Sequence, residues 1–167
     1  IAADCIYESI ESLPQFEQGC ELGIIEKNSV YGFLNRQGKI VTEPKYKTIS
    51  KVQNAPFFIV IDDESNYGMV NQAGDLILPC EYRDLSCEPS GTNEIYLMKV
   101  RTQDYLDKTF FVDVSGSRLW TDRFQAVTLF EDGAAWVTDI NGNSGKINRR
   151  GEVVLPFNFT FVVQQAK

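Results

Sequence analysis

No histidine occurs among the 167 residues, and that omission removes the Ser–His and Cys–His nucleophile pairs, most catalytic zinc sites and the commonest general base. Carboxylates and thiols remain. Asp62-Asp63-Glu64 puts three acids in a row, but paired-acid chemistry also needs a cleft, and a solvated loop is the preferred reading. Asp139-Ile140-Asn141-Gly142-Asn143 starts like a calcium loop with oxygen ligands at alternate positions. The pattern then fails, because Ser144 stands where glycine is needed and Arg150 where a bidentate carboxylate is needed. Cys5, Cys20, Cys80 and Cys87 form an even set. Cys80 with Cys87, or Cys5 with Cys20, could pair, while free packed thiols are the preferred reading at this low density. There is no phosphate loop ending in Gly-Lys-Ser/Thr, no Gly-x-Ser-x-Gly elbow and no Cys-x-x-Cys. The expectation is a protein that is not an enzyme and has no cofactor and no metal site.

Sixteen basic against twenty-three acidic residues leave a net charge of -7, which repels phosphate backbones and anionic lipid surfaces. Nucleic acid is therefore not an expected partner. No apolar run reaches the roughly 20 residues of a spanning helix, so no membrane insertion is expected and the chain reads as soluble. It begins at Ile1 rather than Met, as after a removed signal peptide or at an artificial boundary. Compartment stays open, with an extracytoplasmic or secreted setting preferred.

The elements that would position any functional group are announced by repetition. Asn35, Asn71, Asp113 and Asn148 are each followed three residues later by Gly38, Gly74, Gly116 and Gly151. Eight residues beyond each glycine stands an aromatic (Tyr46, Tyr82, Phe124, Phe159), and three further an aliphatic (Ile49, Leu85, Val127, Val162). All four series advance by steps of 36, 42 and 35 residues, the periodicity of a repeat array. Asn/Asp at the first position and glycine at the fourth suit a type I turn closed by a left-handed glycine, so each motif is expected to be a hairpin tip.

Apolar runs before each turn predict a first strand, those after it a second, and Phe57 to Ile61, Ile95 to Val100 and Ala134 to Val137 a third. Pro44, Pro79 and Pro156 place the second strand at an edge or break it there. Adjacent apolar pairs such as Phe33-Leu34, Phe57-Phe58 and Leu76-Ile77 predict strands buried on both faces by stacked neighbours. The recurring aromatics are expected in the core. The fold class is all-β: tandem antiparallel three-stranded β-repeats in a propeller-like ring or an open β-superhelix, with less than about 10% helix. Residues 1–167 read as a single repeat domain, with units at 1–29 (partial), 30–65, 66–107, 108–143 and 144–167 (partial). In a closed ring, Leu22 to Ile25 would complete the last unit.

The cadence aromatic-Gly-Phe-Leu-Asn-x-x-Gly-x-Ile-Val-x-x-Pro-x-Tyr at Tyr31 to Tyr46 resembles the bacterial WG-containing repeat, and Phe130 to Val137 is similar to that repeat's F-x-x-G-x-A-x-V strand. Tyr31, Tyr67 and Ser144 replace the tryptophan, and the third unit reads Thr109-Phe110 without the signature glycine. The resemblance implies a β-repeat scaffold without catalytic activity, of the kind supposed to mediate interactions. The leading expectation is a scaffold that binds another protein, and the alternative is a glycan or cell-envelope binding module. The second repeat is about six residues longer than its neighbours, and insertions in repeat proteins map to loops, often on a binding face. The candidate contact residues are accordingly Ser86, Glu88, Ser90 and Asn93 in one stretch and Asp104, Tyr105 and Asp107 in another.

Overall fold

The computed structural model describes residues 21–90, 94–120 and 124–159, without the side chains of Gln125 and Phe159. Strands gather in chain order into antiparallel sheets. The first contains β1 (Leu22–Lys27), β2 (Val30–Asn35) and β3 (Ile40–Tyr46). The second contains β4 (Thr48–Lys51), β5 (Phe57–Ile61), β6 (Tyr67–Asn71) and β7 (Leu76–Tyr82). The third contains β8 (Asp84–Pro89), β9 (Ile95–Arg101), β10 (Asp107–Asp113) and β11 (Arg118–Leu119), and the fourth β12 (Phe124–Val127), β13 (Ala134–Asp139), β14 (Ser144–Asn148) and β15 (Val153–Phe159). No helix occurs among the described residues.

Two expectations need correction. The unit is four-stranded in three of the four sheets, not three-stranded; β4, β8 and β12 are the additional strands, and they carry Ile49, Leu85 and Val127. Each begins within two residues of the recurring aromatic, so its short apolar signal merges with that of the preceding strand. Leu22 to Ile25 does not complete the last unit. It belongs to β1, paired with β2 in the first sheet from Leu22 opposite Asn35 to Lys27 opposite Val30.

Glycine and proline together shape each edge strand. Between the pairs Tyr31–Tyr46 and Phe33–Thr42 the edge strand carries two residues more than its partner, so the backbone around Pro44 bows over Gly32. A Cβ on Gly32 would meet the Thr42 carbonyl oxygen and lie 2.7 Å from the Pro44 nitrogen. Gly68 and Gly145 stand in the same relation to β7 and β15, with the carbonyl oxygens of Leu78 at 2.9 Å and Leu155 at 2.7 Å from the place of a Cβ. Proline suits this stretch because the bowed residues leave the hydrogen-bond ladder. Phe110 occupies the glycine position in the third repeat, where the described edge strand is β11, Arg118–Leu119. The Arg118 guanidinium lies 3.9 Å over the Phe110 ring, where the other repeats carry backbone.

A second bulge in each complete edge strand leaves one residue, Val41, Ile77 or Val154, without an opposite number. Val41 is thereby aimed at the next hairpin tip, where it touches the place a Cβ on Gly74 would fill. Trp120 covers Gly151 in the same way, its Cε2 lying 2.7 Å from the corresponding point. In these two pairs of repeats a side chain of one is seated on a glycine of the next.

The hairpin tips are as expected. Gly38, Gly74, Gly116 and Gly151 all have left-handed φ, from 76 to 91°. The Oδ1 of Asn35, Asn71, Asp113 and Asn148 accepts backbone N–H groups two and four residues on, at 2.8 to 3.0 Å. Only Asp113 is charged. Burial raises its pKa, but the Ser115 hydroxyl at 2.6 Å and the N–H groups of Ser115, Ser117 and Gly116 outweigh that and hold the carboxyl below its ordinary value.

The chain divides into two compact units, one running to Ser86 and taking in Val100–Leu106, the other comprising Cys87–Lys99 and the residues from Asp107. The first is cored by Leu22, Phe33, Tyr46, Phe58, Val60 and Val70, with the Phe33 and Phe58 rings edge to face at 5.1 Å. Ile95, Leu97, Phe111, Val127, Phe130, Val137 and Ile147 core the second, where Phe111 and Phe130 stack at 5.0 Å. Tyr46 and Tyr82 are buried as the repeat pattern predicts, and Phe124 packs on the second core. Phe33-Leu34 and Phe57-Phe58 are buried on both faces, whereas Leu76 is exposed because β7 is an edge strand.

Gly68→Ala should destabilise the protein by about 1–3 kcal/mol, because the Cys80 Sγ at 2.7 Å and the Leu78 carbonyl oxygen at 2.9 Å lie in the way of the new methyl group. Gly74→Val should cost a similar amount, about 1–3 kcal/mol, through its left-handed φ and the seated Val41. Denaturant unfolding curves that overlay the wild type would contradict either assignment. Asp113 has its pKa lowered on folding, so its stabilisation is full above the ordinary aspartate range and is lost as pH falls through the lowered value. Asp113→Asn keeps the acceptor found in the other three tips and should flatten the loss of unfolding free energy between about pH 6 and about pH 2; an unchanged slope would refute the role given to this carboxylate.

Candidate functional site

The link between β9 and β10 is a five-residue turn. Tyr105 N–H donates to Thr102 O at 3.0 Å, Thr102 N–H to Leu106 O at 2.9 Å, and Leu106 N–H to Thr102 Oγ1 at 3.1 Å. The links at Asp62 to Asn66 and Asp139 to Asn143 close identically, and their fourth residues, Ser65 and Gly142, have φ of 68 and 83°. In the β9–β10 link that left-handed slot is filled by Tyr105, φ 62°, a conformation that costs a residue with a Cβ about 1–2 kcal/mol. The turn is therefore no longer than its counterparts. The extra length of this repeat lies instead before β9, in β9, which has seven residues against five in β5 and six in β13, and in β10, which has seven against five in β6 and β14.

Tyr105 is 65% exposed and Leu106 54%. The Arg83 guanidinium lies 4.3 Å from the Tyr105 ring centroid. Gln103 Nε2 donates to Asn66 Oδ1 at 2.8 Å and to Glu81 O at 3.1 Å, which fastens this turn to the link of the preceding repeat. Asp104 accepts a hydrogen bond from the Thr102 hydroxyl and is exposed. The result is an aromatic ring, an aliphatic side chain and a guanidinium presented to solvent on a braced turn.

The other candidates divide between surface and core. Ser86 is exposed on β8 and Asp107 exposed at the start of β10. Glu88 is ion-paired with Lys99. Ser90 is a correction, because it is fully buried: its Oγ accepts the Phe130 N–H at 3.1 Å and its own N–H donates to Ile95 O at 2.8 Å, so it joins loops internally. Asn93 lies outside the described residues, as do Cys5 and Cys20. Arg83, Gln103 and Leu106 were not visible as site residues in sequence. Aligning the links on Asp62, Thr102 and Asp139 would have exposed the signal, a tyrosine where the other two hold serine and glycine.

Groups able to do chemistry are engaged elsewhere. Asp62 Oδ1 accepts the Asn66 N–H at 2.8 Å. Asp139 Oδ1 accepts the N–H groups of Asn141 and Asn143 at 2.8 Å each, which makes this segment an inter-strand turn; these bonds outweigh desolvation and lower its pKa. Cys80 and Cys87 are free thiols. Burial, then Glu88, pushes the Cys87 thiol up to about 12, and burial, then Asp62, raises that of Cys80 against the pull of Lys45, so neither has appreciable thiolate at neutral pH. Among the described residues no three His, Cys, Asp or Glu side chains gather as metal ligands, and no helix is long and apolar enough to cross a membrane. An open depression of about 390 Å³ is lined by Glu21, Leu22, Asn35, Val41, Gln72 and Ala73, with a single ionisable group and no aromatic.

Comparison with curated proteins finds no match. The family model of the WG containing repeat matches residues 31–61 and 67–90. Both matches open on the Tyr-Gly pair whose glycine lies beneath the bowed edge strand; the first ends with β5 and the second one residue past β8. These two stretches of the chain are therefore similar to the WG containing repeat.

Proposed function

We propose that the chain is a non-catalytic β-repeat scaffold that binds another protein, with Tyr105, Leu106 and Arg83 at the centre of the contact. One observation carries the proposal: a bulky aromatic held at φ 62° and 65% exposed, in a slot where the equivalent links use glycine or serine. Strained residues kept on a surface are a signature of functional positions, and tyrosine and arginine dominate the binding energy of protein interfaces. The absence of histidine, the turn-bound carboxylates and the protonated thiols support a role without catalysis. Side chains of one repeat seated on glycines of the next support an array of successive repeats, as in a propeller-like ring or a superhelix, as the supporting frame.

Binding of a glycan draws less support. The open depression has no ring on which a sugar could stack, and Arg83 already covers one face of Tyr105.

Tyr105→Gly separates function from folding. It relieves the backbone strain and loses the exposed cation–π contact, so unfolding free energy should stay within about 1 kcal/mol of wild type. Cross-linking with the native source should lose a partner that wild type captures. Identical partner profiles for the two proteins would refute the assignment, and glycan-array binding that depends on Tyr105 would move it to the sugar reading.

A further inference from the structure

Lys47 and Arg83 hold the same place in successive repeats of the first unit. Each follows a recurring buried tyrosine, and each is pinned by its own N–H, Lys47 to Ile61 O and Arg83 to Arg101 O, at 2.8 Å. Their side chains part company. Lys47 Nζ donates to the Oγ of Ser65, the left-handed residue of its link, at 3.3 Å. In the next repeat that residue is Tyr105, which offers a ring face in place of a small hydroxyl, and the Arg83 guanidinium lies over the ring at 4.3 Å. Among the described residues no carboxylate pairs with Arg83 and no hydrogen bond engages its side chain, in a chain whose net charge is -7.

We propose, resting on the reading of the Tyr105 turn as a protein contact, that Arg83 receives a carboxylate of the partner, the side chain of a single Asp or Glu set between apolar residues. A guanidinium is a planar fork of N–H donors that matches a carboxylate through two parallel hydrogen bonds. The Tyr105 ring takes one face of the cation and leaves the N–H edge for such a ligand. A cation already held on a ring also loses less freedom on binding than a loose one. The surrounding surface sets the neighbours of that carboxylate. Leu106 follows Tyr105 and is 54% exposed, so an apolar residue has a surface to cover. Asp63, Glu64 and Asp104 are exposed on the two links that Gln103 ties together, so a run of acids would be repelled where a single one is accepted.

Proton–nitrogen spectra of the labelled protein read the contact at the Arg83 Nε–Hε group and the Tyr105 amide. The probes are an N-acetylated, C-amidated peptide Ala-Leu-Glu-Leu-Ala, its Gln and Lys counterparts, and the Gln peptide with a free C-terminal carboxylate. The Glu peptide should shift both signals saturably, with a dissociation constant of about 1–10 mM, and the amidated Gln peptide should bind at least about tenfold more weakly. Arg83→Lys keeps the charge without the fork and should weaken the Glu peptide about tenfold, read at the Tyr105 amide, with an unchanged circular dichroism spectrum. Equal binding of the Glu and amidated Gln peptides, no saturable shift up to about 20 mM, preference for the Lys peptide, binding of the free C-terminal carboxylate alone, or full affinity in Arg83→Lys would each overturn the proposal. Cross-linking of Tyr105→Gly separates this from the protein-binding reading. A partner lost there while the Glu peptide fails to bind strikes the carboxylate alone, whereas unchanged partners strike both.

Discussion

The passage of a bowed edge strand over a residue without a side chain is the constraint on which the structure rests. Gly32, Gly68 and Gly145 each lie so close to backbone of the neighbouring strand that a methyl group has no room. That closeness lets β3, β7 and β15 shed residues from the ladder at their prolines and still return to pair at the aromatic, with Tyr31 opposite Tyr46 and Tyr67 opposite Tyr82. The third repeat lacks this glycine: with Phe110 in its place, the described edge strand is Arg118–Leu119, and Trp120 has φ 55°.

From this constraint follows the way repeats meet. The second bulge re-aims Val41 out of its own sheet and onto Gly74; a bulge converts an edge that would template further strands into a surface that accepts a turn. Polar turn chemistry is then fixed by the hairpin tips, whose Asn and Asp oxygens are taken up by their own backbone. The same economy recurs in the links between strands, and it explains why the acidic sequences around Asp62 and Asp139 are structural: their carboxylates are already bonded to N–H groups.

Much of this was legible in the sequence. The tip glycines, the edge position of the prolines and the buried tyrosines follow from spacing and residue type alone. The additional strand of the three four-stranded sheets was not, because β4 and β12 are four residues long and begin so near the recurring aromatic that no separate period shows. Ser90 was misplaced for a related reason: a serine in a polar stretch reads as surface, yet its hydroxyl serves a buried backbone N–H from Phe130. Tyr105 was found in sequence for its place in the longest repeat, and the structure supplies a different reason, the left-handed slot. Arg83 and Gln103 reach it from a distance in the chain that no local pattern encodes.

Through-space proton contacts test the crossing of strand over glycine most directly. Nuclear Overhauser spectra should show strong cross-peaks from the Gly32 Hα protons to the Pro44 Hδ protons, and from the Gly68 Hα protons to the Cys80 amide. Absence of both, with regular ladder contacts in their place, would contradict the account.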